Sequence, residues 1–344
     1  MSSSDDIAYS VDVSQSADEG NGDIAYGPLK FYRDKNPNGI SPTLGSDAGV
    51  PYLRLAVAKD AYGAPVADKE DATQRDRCEL RDGKLRLGTA VAYSFEMRVE
   101  SGFPEVDARF VCAQIKAPYY DANGGSPLIA LRIEHGRYFA TIEHLYEPKK
   151  DARFRDGSEQ SRYLSRYVAG TGCKGAARAF DHHVFGNSLA DFEELQVRAV
   201  LATDRCGLPP YLEDQFLWCS TGVEVTHGVP LPDDIHRWWR FTMRLAATDK
   251  KDEDGVVELL LGEPGAAADT LVASASGEFG HIGYDDPAVN TGPPPDRAHQ
   301  YFKIGPYRDK LLIWDKAAAA IHVRNIRREA WGDGEAKRRR LRSV

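Results

Sequence analysis

The sequence predicts an all-β fold, built as one large antiparallel sandwich of about 300 residues. Short stretches in which apolar and polar residues alternate recur along most of the 344 residues, which is typical of half-buried strands. The 31 Gly and 19 Pro are spread along the chain, as expected for many turns between short elements. No long helical pattern and no Pro/Ser/Gly linker stands out. We therefore expect a single domain over residues 1–330.

Composition excludes disordered and helical membrane proteins. The chain is 42% hydrophobic and 28% charged, which is too apolar for a disordered protein. No stretch reaches the roughly 20 consecutive apolar residues that a membrane span needs, so we expect no membrane partner. The first ten residues, MSSSDDIAYS, lack the basic and then apolar pattern of a secretory leader. The sequence by itself therefore predicts no compartment.

The charge is unevenly distributed. Acidic residues outnumber Lys and Arg by 52 to 44, yet the last eight residues, KRRRLRSV, contain no acid. Such a tail, without interleaved aromatic residues or a recognisable nucleic-acid fold, is typical of a solvated terminus. We expect residues 331–344 to form a basic, disordered tail with no nucleic-acid partner.

The cysteines indicate no metal site. The five Cys, at positions 78, 112, 173, 206 and 219, form no CxxC pair and no zinc-like spacing. We expect most of the five cysteines to be buried or surface thiols. The sequence also allows one disulfide among them. The chain also lacks a phosphate-binding loop, a GxSxG segment and an HExxH segment, so we predict no cofactor and no catalytic metal.

The first half of the chain predicts strands from Val50 onward. Residues 1–50 are rich in Ser, Asp, Gly and Asn, which favours one or two strands among loops. Four alternating segments follow: PYLRLAVA (51–58), RCELRDGKLRLG (77–88), AVAYSFEMRVE (90–100) and ARFVCAQIKA (108–117). The dipeptide Asp82-Gly83 predicts a hairpin inside the second segment.

The second half predicts a further hairpin and five more strands. LIALRIE and RYFATIEH (128–144) flank the turn at His135-Gly136. Residues 147–190 lose periodicity and are rich in Arg, Lys, Gly and Ser, so we predict long loops there and in the turn-rich stretch 203–234. The other strands are predicted in EELQVRAVLA (193–202), RWWRFTMRLAA (237–247), GVVELLLGE (255–263), QYFKIGPYRD (300–309) and AIHVRNIRRE (320–329).

Three of these segments place polar residues on one face, at alternate positions: Arg77, Glu79 and Arg81; Gln114 and Lys116; and Tyr301, Lys303, Gly305 and Tyr307. Pro306 is expected to distort the last strand. Arg binds a carboxylate in a bidentate manner, Gln or Lys neutralises it, and a Tyr hydroxyl exchanges protons. The set suits proton removal beside the carboxylate of a uronic acid. The alternative is an ordinary charged sheet face, with Glu79 as the cross-strand partner of the Arg residues.

The same three segments resemble a known family in the same order. RCELR resembles the R-(S/T)-E-L-R motif of jelly-roll alginate lyases, AQIKA their Q-I-H segment and QYFKIGPYRD their Y-F-K-x-G-x-Y segment. The wider frame, residues 50–328, is similar to the polysaccharide lyases that include heparin lyase I and glucuronan lyases. The resemblance implies a β-jelly-roll, concanavalin-like sandwich of two antiparallel sheets. It also implies β-elimination on a 4-linked polyuronate such as glucuronan or alginate, outside the cell or in the periplasm.

Residue by residue, the resemblance implies that Arg77 and Gln114 contact the substrate carboxylate and that Tyr307 is the catalytic acid. Lys303 then lines the same cleft, and Glu79 and Arg81 support it. The resemblance also implies an anionic polysaccharide as the partner and a monomeric protein. It leaves undecided whether a structural calcium ion is bound.

Two departures leave the base undecided. Cys78 stands where alginate lyases have Ser or Thr, and Lys116 stands where they place the His that commonly acts as base. Tyr307 acting as both base and acid is one solution, and a desolvated Lys116 is another. A His from elsewhere is the third. His144 is the first choice for that role, ahead of His135 in the predicted turn, and a loop that contains His281 and Tyr284 lies near the last motif.

An acidic body needs a local basic cleft to bind a polyanion. Arg308 is a further candidate for its lining, and Trp239 is a candidate to stack on a sugar ring. Two other functions stay open. One is a catalytically inactive carbohydrate-binding sandwich, which Lys116 allows. The other, ranked last, is a glycoside hydrolase with Glu79 paired with Glu134 or Glu143.

Overall fold

The structure is a computed structural model in which nearly all regular elements are strands. It describes residues 7–35, 39–57, 75–103, 110–116, 127–134, 136–146, 177–179, 195–203, 217–218, 223–247, 254–277, 299–309 and 319–332. No helix in these ranges is long and apolar enough to cross a membrane. The strands in them are β1 (Tyr9–Ser10), β2 (Ala17–Gly20), β3 (Asp23–Tyr26), β4 (Leu29–Phe31), β5 (Gly39–Asp47), β6 (Val50–Val57), β7 (Arg75–Arg77), β8 (Leu80–Arg81), β9 (Leu85–Arg86), β10 (Val91–Val99), β11 (Phe110–Lys116), β12 (Pro127–Glu134), β13 (Arg137–Tyr146), β14 (Ala177–Ala179), β15 (Leu195–Thr203), β16 (Leu217–Trp218), β17 (Val223–His227), β18 (Trp239–Ala246), β19 (Gly255–Gly262), β20 (Thr270–Gly277), β21 (His299–Asp309) and β22 (Ala319–Ala330). A short 3-10 helix spans Arg33–Lys35.

The described strands form two antiparallel sheets. The first sheet has the order β17-β20-β19-β18-β10-β22-β6-β5, with β1 beside β22. The second has the order β16-β14-β15-β13-β12-β11-β21-β8-β4-β3-β2, with β7 and β9 also paired to β21. The chain leaves the first sheet after β10, builds β11 to β13 in the second and later returns with β17 to β20. Such crossings between sheets are those of a jelly roll, and the predicted sandwich is confirmed.

A continuous apolar core lies between the sheets. Tyr93 of β10 and Phe302 of β21 stack across the sandwich with ring centroids 4.4 Å apart. Phe95 and Phe241, from neighbouring strands of the first sheet, extend this aromatic layer. All four rings are fully buried. Because burial of large aromatic side chains is the main favourable term in such a core, β21 is held firmly against the first sheet.

The predicted hairpin at Asp82-Gly83 is wrong. Strands β7, β8 and β9 all pair with β21 and not with one another, so residues 75–86 follow β21 as one interrupted strand. The reason lies in the Asp82 carboxylate, which is buried and not exposed at a turn. It accepts hydrogen bonds of 2.7 Å from the Tyr93 hydroxyl and from Arg328 Nη1. An ion pair of this kind fixes the segment against the core.

Some strands lie in segments that were predicted to be loops, and one lies in a segment for which no element was predicted. The predicted loop 147–190 contains β14, and the stretch 203–234 contains β16 and β17; the rest of the first loop lies outside the described residues. Strand β20 was not predicted, because its sequence, TLVASASG, has many small polar residues and little alternation. Residues 7–50 hold more than the one or two strands expected. The hairpin of β12 and β13 is confirmed by the pairing of Glu134 with Arg137.

Candidate active site

The three motifs meet on one face of the second sheet, the face turned away from the core, which we call the site face. Strand β21 lies between β11 on one side and β7 and β8 on the other. Lys303 therefore pairs with Gln114 on one side and with Arg81 on the other, and Tyr307 pairs with Arg77. Segments far apart in sequence thus bring their polar faces together, because side chains at paired positions point the same way.

A close backbone approach at Gly305 sets the position of Tyr307. Gly305 has a φ of 139°, and a Cβ atom there would lie 1.9 Å from the carbonyl oxygen of Cys78. The Cys78 N–H donates to the Pro306 carbonyl at 2.9 Å. The pairing with β11 shifts at this point, so that Gly305 and Pro306 lie opposite Cys112 alone. Only glycine lets the RCELR segment come this near to β21.

Cys78 itself points away from the site face, as the alternation predicts. It is fully buried, and its thiol donates to the carbonyl of Ile40 at 3.1 Å. Burial raises the pKa of Cys78 to about 12. A thiol this hard to ionise is a poor nucleophile, so the exchange of Ser or Thr for Cys in this motif changes packing and adds no reactive group.

A buried carboxylate organises the centre of the site. Glu79 is 4% exposed and accepts hydrogen bonds from Lys303 Nζ, at 2.9 Å, and from Gln114 Nε2. Burial alone would raise the pKa of Glu79, but the charges of Lys303 and Arg77 outweigh it and hold the pKa below its ordinary value. Burial also lowers the pKa of Lys303, and Glu79 offsets part of that shift. The carboxylate is therefore ionised and fixes both neighbours.

Two arginines stack on two tyrosines along β21. The Arg77 guanidinium lies 4.7 Å from the centre of the Tyr307 ring, and that of Arg81 lies 4.1 Å from the centre of the Tyr301 ring. The Tyr307 ring also packs against Val111 and is itself largely buried. Such cation–π contacts hold the planar groups in fixed orientations. The phenol and the guanidinium that the resemblance assigns to the reaction are thus in contact.

Lys116 lies at the same site. Its backbone pairs with that of Tyr301, and its charge is one of those that lower the pKa of Glu79. With Arg77, Arg81 and Lys303, it gives the described part of this face more cations than carboxylates. The predicted local positive charge on an acidic protein is therefore present among these residues.

Two residues of the site face were missed by the sequence analysis. Arg132 of β12 is 2% exposed, and its Nε donates to the hydroxyl of Thr141 on β13 at 2.8 Å. Arg132 pairs with Val111, which in turn pairs with Tyr307. Arg132 occupies a polar position in the alternation of LIALRIE, and this alternation is the sequence feature that could have placed it on the site face. The pairing of β12 with β11, which brings it to the site, is not encoded locally.

Trp239 does not belong to this group. It lies on β18 of the first sheet, packs against the core and donates its indole N–H to the carbonyl of Asp234 at 2.8 Å. Alternation along β18 places it with the core positions Phe241 and Met243. Its position gives no support to the predicted role in stacking on a sugar at the site face.

Several predicted residues lie wholly or partly outside the described residues. The backbones of His144 and Arg308 pair with Val197 and Phe110, but their side chains are outside the described part. His135, His281 and Tyr284 also lie outside it. Among the described residues, no group of three or more His, Cys, Asp or Glu side chains is arranged to hold a metal ion.

Comparison with known proteins identifies the family. A family model described as polysaccharide lyase matches residues 49–331. Solved structures with similar folds include an endo-β-1,4-glucuronan lyase from Trichoderma reesei (11% identity, 86% of this chain and 90% of that chain covered, TM-score 0.44). Others are alginate lyases from Aplysia kurodai (8%, 85% and 87%, 0.40) and Klebsiella pneumoniae (12%, 95% and 95%, 0.39). No curated protein matches the chain.

Proposed function

The chain belongs to the polysaccharide lyase family, and we propose that it cleaves a 4-linked, uronic-acid-containing polysaccharide by β-elimination at the site face. The observation that carries this proposal is the contact of Arg77 with Tyr307 beside the Glu79–Lys303–Gln114 cluster. Together these residues offer a proton-transfer group next to amide and cationic donors. The substrate is an anionic polymer bound from the extracellular or periplasmic space by a single copy of the chain.

In this proposal Arg77 and Gln114 hold the uronate carboxylate. Glu79 accepts from one amide hydrogen of Gln114, so the NH₂ group of the amide faces Glu79. The second amide hydrogen and the Arg77 guanidinium are then donors for the substrate carboxylate. Neutralising that carboxylate stabilises the enolate-like charge that develops when the proton on C5 leaves.

Tyr307 serves as both base and acid in the proposed reaction. Its phenolate oxygen takes the C5 proton, and the electron pair of that bond forms the C4–C5 double bond while the C4–O4 bond breaks. The same phenol then returns the proton to the departing O4. Arg77, stacked on the ring, holds the phenol next to the groups that bind the carboxylate. The products are an unsaturated uronyl end and a shortened polymer.

Lys116 acts as a cation in this scheme and not as the base. The negative charge of Glu79 interacts with it and favours the ammonium form. An ammonium group can neutralise a substrate carboxylate but cannot accept a proton. In this proposal, the Lys that stands in place of the expected His therefore requires no base from another strand.

An ultraviolet assay for the unsaturated uronyl product tests the proposal. The polymer panel contains glucuronan, polymannuronate, polyguluronate, heparin, heparan sulfate, hyaluronan, pectate and xanthan. A rise in absorbance on one polymer supports the proposal and names the substrate. Absence of a rise on all of them, together with binding to one by calorimetry, would favour a carbohydrate-binding protein without turnover.

A further inference from the structure

The site face contains a buried positive charge, that of Arg132, which has no role in the proposed reaction steps. Arg132 is among the largest fully buried side chains of the described residues, with only 2% of its surface exposed. Burial of a guanidinium costs several kcal/mol unless polar groups hold it. Arg132 is held at least by the Thr141 hydroxyl, which is itself 1% exposed.

The hydrogen bond to Thr141 determines where the guanidinium lies. Thr141 pairs with Ala130, and Ala130 pairs on its other side with Gln114. Since Arg132 lies two residues further along β12, a bond from its Nε to Thr141 turns the side chain back along β12 to the level of Ala130 and Gln114, on the side of β12 that faces β13. Neighbouring strands are about 4.8 Å apart, so Thr141 lies two strands, or about 10 Å, from the carboxylate-binding amide.

Ala130 is also in contact with the proton-transfer group. Ala130, Val111 and Tyr307 pack together in one buried cluster on the site face. Val111 is the direct cross-strand partner of both Arg132 and Tyr307. The Arg132 side chain therefore lies on the same face as Gln114 and Tyr307, at the β12 side of the site, with Val111 between it and the phenol.

We propose that Arg132 is a positioning residue of the reaction, and that Thr141 orients it. Its charge acts from β12, beside Gln114 and Tyr307, through a protein interior of low polarity, on the negative charge that develops at the substrate carboxylate. Direct contact with the substrate is not required, which agrees with its burial. The inference rests on the proposed lyase activity and adds to it a residue pair that binds no substrate atom.

Replacement of Thr141 separates this role from a purely structural one. Thr141→Val keeps the shape and removes the hydroxyl, whereas Thr141→Ser keeps the hydroxyl and removes a methyl group. We expect Thr141→Val to lower kcat on the order of 10-fold with little change in KM, since the lost interaction acts on the transition state. Thr141→Ser should stay near the wild-type kcat. Arg132→Lys, which keeps the charge without the Nε donor, should fall between them.

Each outcome either supports or overturns the proposed role of Arg132 and Thr141. Wild-type kcat in Thr141→Val, or equal losses in Thr141→Val and Thr141→Ser at equal melting temperature, would overturn the role of the pair. If Thr141→Val does not fold, Arg132→Lys decides, and a wild-type kcat in that variant overturns the orienting role of Thr141. A wild-type protein that gives no unsaturated product on any polymer overturns the proposed function itself, and the inference with it.

Discussion

Gly305→Ala is the substitution whose effect the structure specifies most closely. The added Cβ would lie 1.9 Å from the carbonyl oxygen of Cys78, and the φ of 139° is one that side-chain-bearing residues rarely adopt. The backbone strain costs about 1–3 kcal/mol. Loss of the bond from the Cys78 N–H to the Pro306 carbonyl adds about 1 kcal/mol. We therefore expect the free energy of unfolding in urea to fall by about 2–4 kcal/mol.

The same substitution should separate Arg77 from Tyr307, because the RCELR segment must move off β21. We expect lyase activity to fall at least about 100-fold at temperatures where the variant is folded. Gly265→Ala is the matched control: its φ is 78°, but a Cβ there meets nothing within 4 Å. It should lose about 1 kcal/mol and keep full activity. Equal stability and activity in the two variants would refute the role given to the close approach.

Two further predictions concern charged groups. Glu79→Gln should lower the free energy of unfolding by about 3 kcal/mol, because it leaves the Lys303 ammonium buried without its partner. Adding Lys303→Met should recover part of that loss, and strictly additive losses in urea unfolding would contradict the pairing. The second concerns His322, whose pKa is lowered below 6.5 by burial and by Arg98. The unfolded chain then binds the proton more readily, so stability should be lost as the pH falls below about 6.5. His322→Gln should show a smaller loss between about pH 7.5 and 5.5, and an unchanged pH dependence would exclude this contribution.

Strand alternation was enough to place single side chains on faces. Arg77, Glu79 and Lys303 could be assigned to one face of their strands from the two-residue period alone. The structure brings these faces together, as the resemblance implied. Such a rule is local, and it works wherever one face of a strand is apolar and buried.

Pairing between distant strands could not be deduced in the same way. The Asp82-Gly83 signal failed because Arg328, 246 residues away, binds Asp82 in the core. Arg132 was overlooked for a related reason: its proximity to the site depends on the register of β12 against β11. Both errors come from contacts whose partners are far apart in sequence and leave no local pattern.

The most direct test of the site is Tyr307→Phe, assayed for both turnover and binding. The Phe ring keeps the packing against Val111 and the contact with Arg77, and it removes only the hydroxyl to which we assign the proton transfer. On the polymer that the wild-type protein cleaves, we predict a loss of turnover of at least about 100-fold, with binding by calorimetry unchanged. A variant that still produces unsaturated uronyl ends at the wild-type rate would contradict the central claim that Tyr307 moves the proton.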